Sequence, residues 1–375
     1  MQAIDLATLP VVGALDVAAS ADGVSFRRVP AWAWPQVADA GHRVVAAVPA
    51  GVRLEFATAS RSLELDVQLT SFGGAKPETI PVFDLLVDGV LTVSRVVEQA
   101  DFARIEVSER LAAFVGAAQT VRFDELPGDP GLPVELWLPH NATVELRGVR
   151  IDDGAQLAPL RRARKRWVHY GSSISHCINA PGPTATWPSA VALRADVDLL
   201  HLGLAGNCMI DHHVARTIRN EPVDFVSLKL GINIINGDTL RERTFVPVVH
   251  GFLDTIRDGH PETPLVVASP IICLVAEDHP GPTLVASDGA AYVVPRDGDL
   301  ATGALSLRRV RELLAEIVSV RRETDPNLHL VDGLSLFGPD DVDYLEDGLH
   351  PSPVGNGRIA ERFYDLTFRD GPFAG

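Results

Sequence analysis

Five short runs of core-type residues, at 167–170, 198–202, 224–230, 264–270 and 328–332, recur through the second half of this chain, and the first three run into Gly171, Gly203 and Gly231. Apolar runs of this length bounded by glycine suit strands of a parallel sheet covered on both faces. Between them, 187–194, 211–219 and 244–258 read as helices, and Leu307, Val310, Leu314 and Ile317 recur at helical spacing. Strand and helix in alternation predict a doubly wound α/β domain. In such a sheet, ligands collect at the carboxyl ends of the strands.

The loop after the first run is Gly171-Ser172-Ser173-Ile174-Ser175, and Asp347-Gly348-Leu349-His350 lies near the C-terminus. Nucleophilic acyl chemistry needs a hydroxyl on a tight turn, an imidazole to take its proton and a carboxylate to orient the imidazole. Ser173, His350 and Asp347 are the candidates for these three parts. If Asp347 only shapes the Asp-Gly turn, a Ser–His dyad remains. Two further loops, Gly203-Leu204-Ala205-Gly206-Asn207 and Gly231-Ile232-Asn233, open on the same sheet edge. A tetrahedral acyl intermediate carries an oxyanion, and each donor aimed at it is worth roughly 3–4 kcal/mol. The Ser173 and Gly206 backbone amides and the Asn233 side-chain amide are the candidate donors.

This four-block pattern resembles the SGNH (GDSL-type) hydrolase superfamily, over roughly residues 164–370. Gly171-Ser172-Ser173-Ile174 matches its Gly-Asp-Ser-Leu block, Gly206 its second-block glycine, Gly231-Ile232-Asn233 its Gly-x-Asn, and Asp347 to His350 its Asp-x-x-His. The resemblance implies a flavodoxin-like sheet, Ser173 as nucleophile, His350 as base, Asp347 as its partner, and Ser173, Gly206 and Asn233 as the oxyanion hole. One departure is visible: the family's Asp before the serine is Ser172 here. The layout of an all-β domain before an SGNH domain is similar to two-domain members of the superfamily, both GDSL-type esterases and the GDSL acyltransferases of tetracycline tailoring. It implies a jelly-roll, carbohydrate-binding-module-like sandwich at 1–160 and a catalytic domain at 161–375. It also implies an acyl thioester or activated ester as donor, with no cofactor and no metal. The acceptor is then the hydroxyl of a polyketide-type natural product, or water in an esterase or sugar-ester deacetylase. A catalytically dead binding protein would lack one of these parts, and every chemical position is filled.

The first 155 residues read differently. Stretches 52–56, 63–69, 134–138 and 144–146 alternate apolar and polar residues, the mark of half-buried antiparallel strands. Asp88-Gly89 between apolar runs signals a hairpin, and breaks at Gly73-Gly74, 127–131 and 139–141 fit the loops of a β-sandwich. The basic run 161–166 reads as a solvated linker whose arginines pair with carboxylates on either domain. Residues 271–303, rich in Pro, Gly and Asp, read as an extended loop and a candidate lid.

Composition narrows the partners. The 375 residues exceed one usual core, which favours two domains. A net charge of −16, from 33 basic and 49 acidic residues, argues against nucleic acid and anionic membranes. No run approaches the ~20 apolar residues of a membrane span. The N-terminus shows no basic stretch followed by an apolar one, so the expectation is a cytoplasmic enzyme acting on small molecules. Cys177, Cys208 and Cys273 are expected to be buried free thiols, with a Cys177–Cys208 bond as the alternative. His176, His212 and His213 read as ordinary loop residues, with pocket-lining or metal-binding roles as the alternatives.

Overall fold

Strands β1 (Arg166–Gly171), β2 (Asp198–Gly203), β3 (Phe225–Lys229), β4 (Leu265–Ala268) and β5 (Leu328–Val331) form one sheet in the order β2-β1-β3-β4-β5. All its pairs are parallel. Leu199, Leu200, Leu202, Val226, Leu228, Val266 and Val267 are all buried. The sheet is covered on both faces, which is why its strands show continuous apolar runs and no alternation. Short helices α1 (Ser173–His176) and, later in the chain, α3 (Ile232–Asn236) start directly beyond β1 and β3, while α2 (His212–Asn220), α4 (Glu242–Arg257) and α5 (Leu307–Arg321) are crossover helices. Helix α6 (Pro353–Tyr364) follows the Asp347–His350 loop. Strand order reverses at β1, the switch point where doubly wound sheets bind ligands. A Cβ on Gly203 would sit 2.7 Å from the His176 amide nitrogen, so the glycine lets α1 lie against the end of β2.

The structure, a computed structural model, describes residues 1–73, 80–98, 101–105, 111–113, 118–160 and 162–374. The Gly73-Gly74 break and Arg161 of the basic run fall partly or wholly outside them. The chain forms two compact units, Met1–Arg164 with Ile178–Ser189, and Lys165–Cys177 with Ala190–Gly375. No helix among the described residues is long and apolar enough to cross a membrane.

The first unit is a sandwich of an eight-stranded and a six-stranded sheet, counted among the described residues. Leu63–Gly73 pairs with Ala142–Ile151 in one, and Arg53–Ala57 with Val134–Trp137 in the other. Alternate residues meet between the sheets: Leu65, Val67 and Val144 from one, and Leu54, Phe56 and Leu136 from the other, share a core. Asp88 and Gly89, at φ 50° and 78°, turn Val82–Val87 into Val90–Val96, as a two-residue hairpin requires.

Two sequence expectations change here. The polar residues of the 52–56 and 134–138 stretches are not solvated: Arg53, Glu55 and Glu135 are buried. They offset one another's charge, with Arg53 Nη2 3.2 Å from Glu55 Oε2 and Arg53 Nε 3.4 Å from Glu135 Oε2. Arg164 joins them from the basic run, its Nη2 2.8 Å from Glu135 Oε1 and its side chain 7% exposed. Arg162 pairs with Asp88, and Arg166 with Glu221 of the second unit. The run is thus paired on both sides, but it is not fully solvated. The other change is the return of residues 178–189 to the first unit. There buried Asp84 accepts the Thr184 amide at 3.1 Å, the Thr184 hydroxyl at 2.6 Å and the Ser94 hydroxyl at 2.6 Å.

Lys229 ends β3 fully buried, and its Nζ bonds to none of the described residues. Burial pulls its pKa from 10.5 down to about 8, against an opposing influence from Cys208 and Cys177. Between those values the unfolded chain holds a proton that the folded chain has released, so stability rises with pH across that window. At about 1.4 kcal/mol per unit, the protonated amine destabilises the fold by on the order of 3–4 kcal/mol at neutral pH. Lys229→Met is therefore expected to be more stable than the parent at pH 7, with the gain shrinking as pH approaches 10. Denaturant titrations of both proteins at the two pH values check this; a gain that ignores pH would exclude the burial cost as its source.

Candidate active site

Ser173 opens α1 directly beyond β1. Ser172 is the cap residue, its hydroxyl accepting the Ile174 amide at 3.3 Å. The first amides of a helix have no partner inside it, and Ser173 is the first residue of α1. Of the three serines in this block, Ser172 and Ser175 are fully buried and only Ser173 reaches solvent.

The Asp347–His350 loop brings the imidazole to that hydroxyl. Ser173 Oγ lies 2.8 Å from His350 Nε2, and His350 Nδ1 lies 2.8 Å from Asp347 Oδ2. Asp347 serves both the turn and the ring. Its Oδ1 accepts the backbone amides of Leu349 at 3.0 Å and His350 at 2.7 Å. Asp347 is partly buried, which by itself would raise its pKa. The hydrogen bond and charge of His350 and the two backbone amides outweigh that and hold it well below the usual carboxylate range. An ionised Asp347 accepts from Nδ1–H, leaving Nε2 unprotonated toward Ser173, the tautomer a base needs.

Gly206 lies in the turn after β2 with φ 71°. Asn233 is the second residue of α3 and is 3% exposed. Its Oδ1 accepts the Cys208 amide at 3.0 Å. A carbonyl oxygen must face that N–H, so the contact fixes which end of the Asn233 amide is which, and Nδ2 is its donor end. This tie between the second and third loops carries no sequence signal, since a backbone amide supplies it.

Residues 271–303 are not an extended loop. They contain a hairpin, Thr283–Val285 with Ala291–Val293, between the short 3-10 turns Leu274–Ala276 and Asp297–Thr302. The hairpin is tied to both halves of the site: Thr283 donates to Asn236 Oδ1 at 2.9 Å, and the Ala291 amide to the Asp347 carbonyl at 2.9 Å. Leu284, Val285 and Tyr292 on it, and Val294 just beyond, are exposed.

His176, read as a loop residue, is buried at the end of α1 with its ring 6.4 Å from that of His201. His212 and His213 open α2, and no cluster of three or more metal-ligating side chains occurs among the described residues. The three cysteines are buried thiols, and none forms a disulfide among the described residues. Burial pushes the thiol of Cys208 up to about 12 and that of Cys273 to about 11.

A flavodoxin-like sheet with Ser, His and Asp joined at its carboxyl edge defines a class of serine acyl-transfer enzymes. Residues 169–358, just over half of the chain, match the model of the GDSL-like lipase/acylhydrolase family, and the chain belongs to that family. Among solved structures it is similar to the salicylyl-acyltransferase SsfX3 from a tetracycline biosynthetic pathway, at 26% identity and a TM-score of 0.79, over 95% of this chain and 92% of that one. It shares its fold with a family two carbohydrate esterase from Clostridium thermocellum, at 14% identity and a TM-score of 0.57, over 94% and 97% of the two chains. It shares it also with the acetyl xylan esterase Est2A from the rumen bacterium Butyrivibrio proteoclasticus, at 10% identity and a TM-score of 0.53, over 97% and 96%. No curated protein sequence matches the chain.

Proposed function

We propose that the chain is a serine acyltransferase that takes an acyl group from a thioester or activated ester and esterifies a hydroxyl of an apolar, polyketide-type acceptor. The observation that carries this reading is the likeness to the salicylyl-acyltransferase, 26% identical with a TM-score of 0.79 across both units. The exposed apolar residues of the 283–293 hairpin, tied to Asp347, support an apolar acceptor over a sugar. The fold shared with the two carbohydrate esterases favours the second reading, in which water takes the acyl group from a sugar ester.

In the proposed reaction Ser173 Oγ attacks the donor carbonyl as its proton passes to His350 Nε2, and Asp347 stabilises the imidazolium through Nδ1–H. The tetrahedral oxyanion is met by the amides of Ser173 and Gly206 and by Asn233 Nδ2. Collapse expels the thiolate or alkoxide, which takes the proton from His350. The acceptor hydroxyl then loses its proton to His350 and attacks the acyl-serine, which releases the new ester and restores the Ser173 hydroxyl. Asn233→Ala removes a donor that matters most when the oxyanion forms, so kcat is expected to fall about 10²–10³-fold with KM similar. A change confined to KM would assign Asn233 to substrate binding.

Transfer requires the bound acceptor to outcompete bulk water, and positioning supplies effective molarities of about 10⁵ M or more. With an aryl thioester and a panel of polycyclic and sugar alcohols, most of the acyl flux is expected in a new ester of a polycyclic alcohol. Free acid as the product with every alcohol overturns the transferase and leaves the esterase; transfer to the sugars alone moves the acceptor class.

A further inference from the structure

Beneath α1 runs a row of hydrogen bonds that the proposed reaction does not use. Trp167 and His169 stand on one face of β1, two residues apart, and Ser227 is the β3 partner of His169 in register. Trp167 Nε1 donates to Ser227 Oγ at 2.8 Å, His169 Nδ1 lies 2.7 Å from the same oxygen, and His169 Nε2 lies 2.7 Å from Ser175 Oγ. All four side chains are fully buried.

Donor counting leaves the row two arrangements. Ser227 Oγ accepts from the indole, which can only donate. With the His169 proton on Nδ1, Ser175 donates to Nε2 and the Ser227 hydroxyl hydrogen is left over; with it on Nε2, Ser227 donates to Nδ1 and the Ser175 hydroxyl hydrogen is left over. Either way His169 Nε2 and Ser175 Oγ share one hydrogen bond, which ties α1 to β1. Burial, with the nearby Lys229 charge, pulls the pKa of His169 down to about 3, so the ring stays neutral in the working range.

The end of the row is two residues from Ser173. Helix α1 is one turn of four residues, too short to hold its own position. We propose that His169 is a positioning residue: through Ser175 it pins α1 to the sheet and so holds Ser173 Oγ at its hydrogen bond with His350. The inference rests on Ser173 being the nucleophile. A displacement of about 1 Å at a reacting atom can lower a rate about 10²-fold, so a lost pin reaches the chemistry without touching substrate.

The test compares His169→Leu, which can make no hydrogen bond, His169→Gln, whose amide can donate or accept near the position of Nε2, and Ser175→Ala. For each, kcat and KM on an activated ester, the rate of Ser173 labelling by a fluorophosphonate, and Tm are measured. Phe225→Leu, a core change at the far end of β3, is the control for lost stability. His169→Leu and Ser175→Ala are each expected to lower kcat about 10–100-fold with KM within about twofold, and to slow labelling by the same factor. The double variant should be no worse than either, and His169→Gln should recover most of the loss. If His169→Leu does not fold, Ser175→Ala carries the test alone. A kcat that follows Tm across all variants, the control included, overturns the inference. Failure to label Ser173 in the parent protein would instead remove the nucleophile reading; equal labelling in the parent and Ser175→Ala removes the positioning role alone.

Discussion

Ser173→Ala is expected to lower turnover of an activated ester about 10⁴-fold or more while leaving the fold intact. The size follows from covalent catalysis: without the hydroxyl no acyl-enzyme forms, and the oxyanion donors and binding alone give only residual rates. The selectivity follows from the three serines of the block. Ser172 caps α1 and Ser175 bonds His169, both fully buried, whereas Ser173 Oγ has His350 Nε2 as its partner at 2.8 Å. Removing that one partly exposed contact should change stability by about 1 kcal/mol or less. Circular dichroism and denaturant titration on the same sample separate lost chemistry from lost structure.

His350→Ala is expected to be nearly as damaging, and Ser173→Ala/His350→Ala no worse than either single change. Parts of one proton relay fail together, so their effects do not add. Asp347→Asn should cost less, about 10²–10⁴-fold. It keeps an acceptor for the Leu349 and His350 amides, but its NH₂ cannot accept from Nδ1–H and favours the wrong tautomer. Asp347 is held well below the usual carboxylate range, so its protonation should not set the acid limb of the pH–rate profile. Steady-state kinetics of the four variants check the order. His176→Ala proving worse than His350→Ala would point to a different base, although His176 lies buried against His201.

The parallel sheet was legible because its strands are buried on both faces, which writes them into the chain as apolar runs without alternation. The proximity of Ser173, Asp347 and His350 was legible because each lies in a short loop at a strand's carboxyl end or three residues from its partner. What escaped did so for physical reasons. Arg53, Glu55 and Glu135 alternate with apolar residues as solvated side chains do, but they are buried because charges from several segments neutralise one another. The return of residues 178–189 to the first unit left no trace because their link to Asp84 is a long-range hydrogen-bond set with no local pattern. The hairpin at 283–293 was hidden by the glycine, proline and aspartate around it. His169 looks like any strand residue, since only the fold brings Ser175 and Ser227 to its two nitrogens.

The most direct test of a Ser173 acyl-enzyme is rapid quenching of the protein during turnover of a thioester or activated ester, followed by mass spectrometry of the whole chain and its peptides. One acyl mass on the peptide holding Ser173, assigned to Ser173 by fragmentation, lost on adding the acceptor alcohol and absent from Ser173→Ala, is the expected result. An acyl group on Ser172 or Ser175, or steady turnover by Ser173→Ala with no covalent adduct, would contradict it.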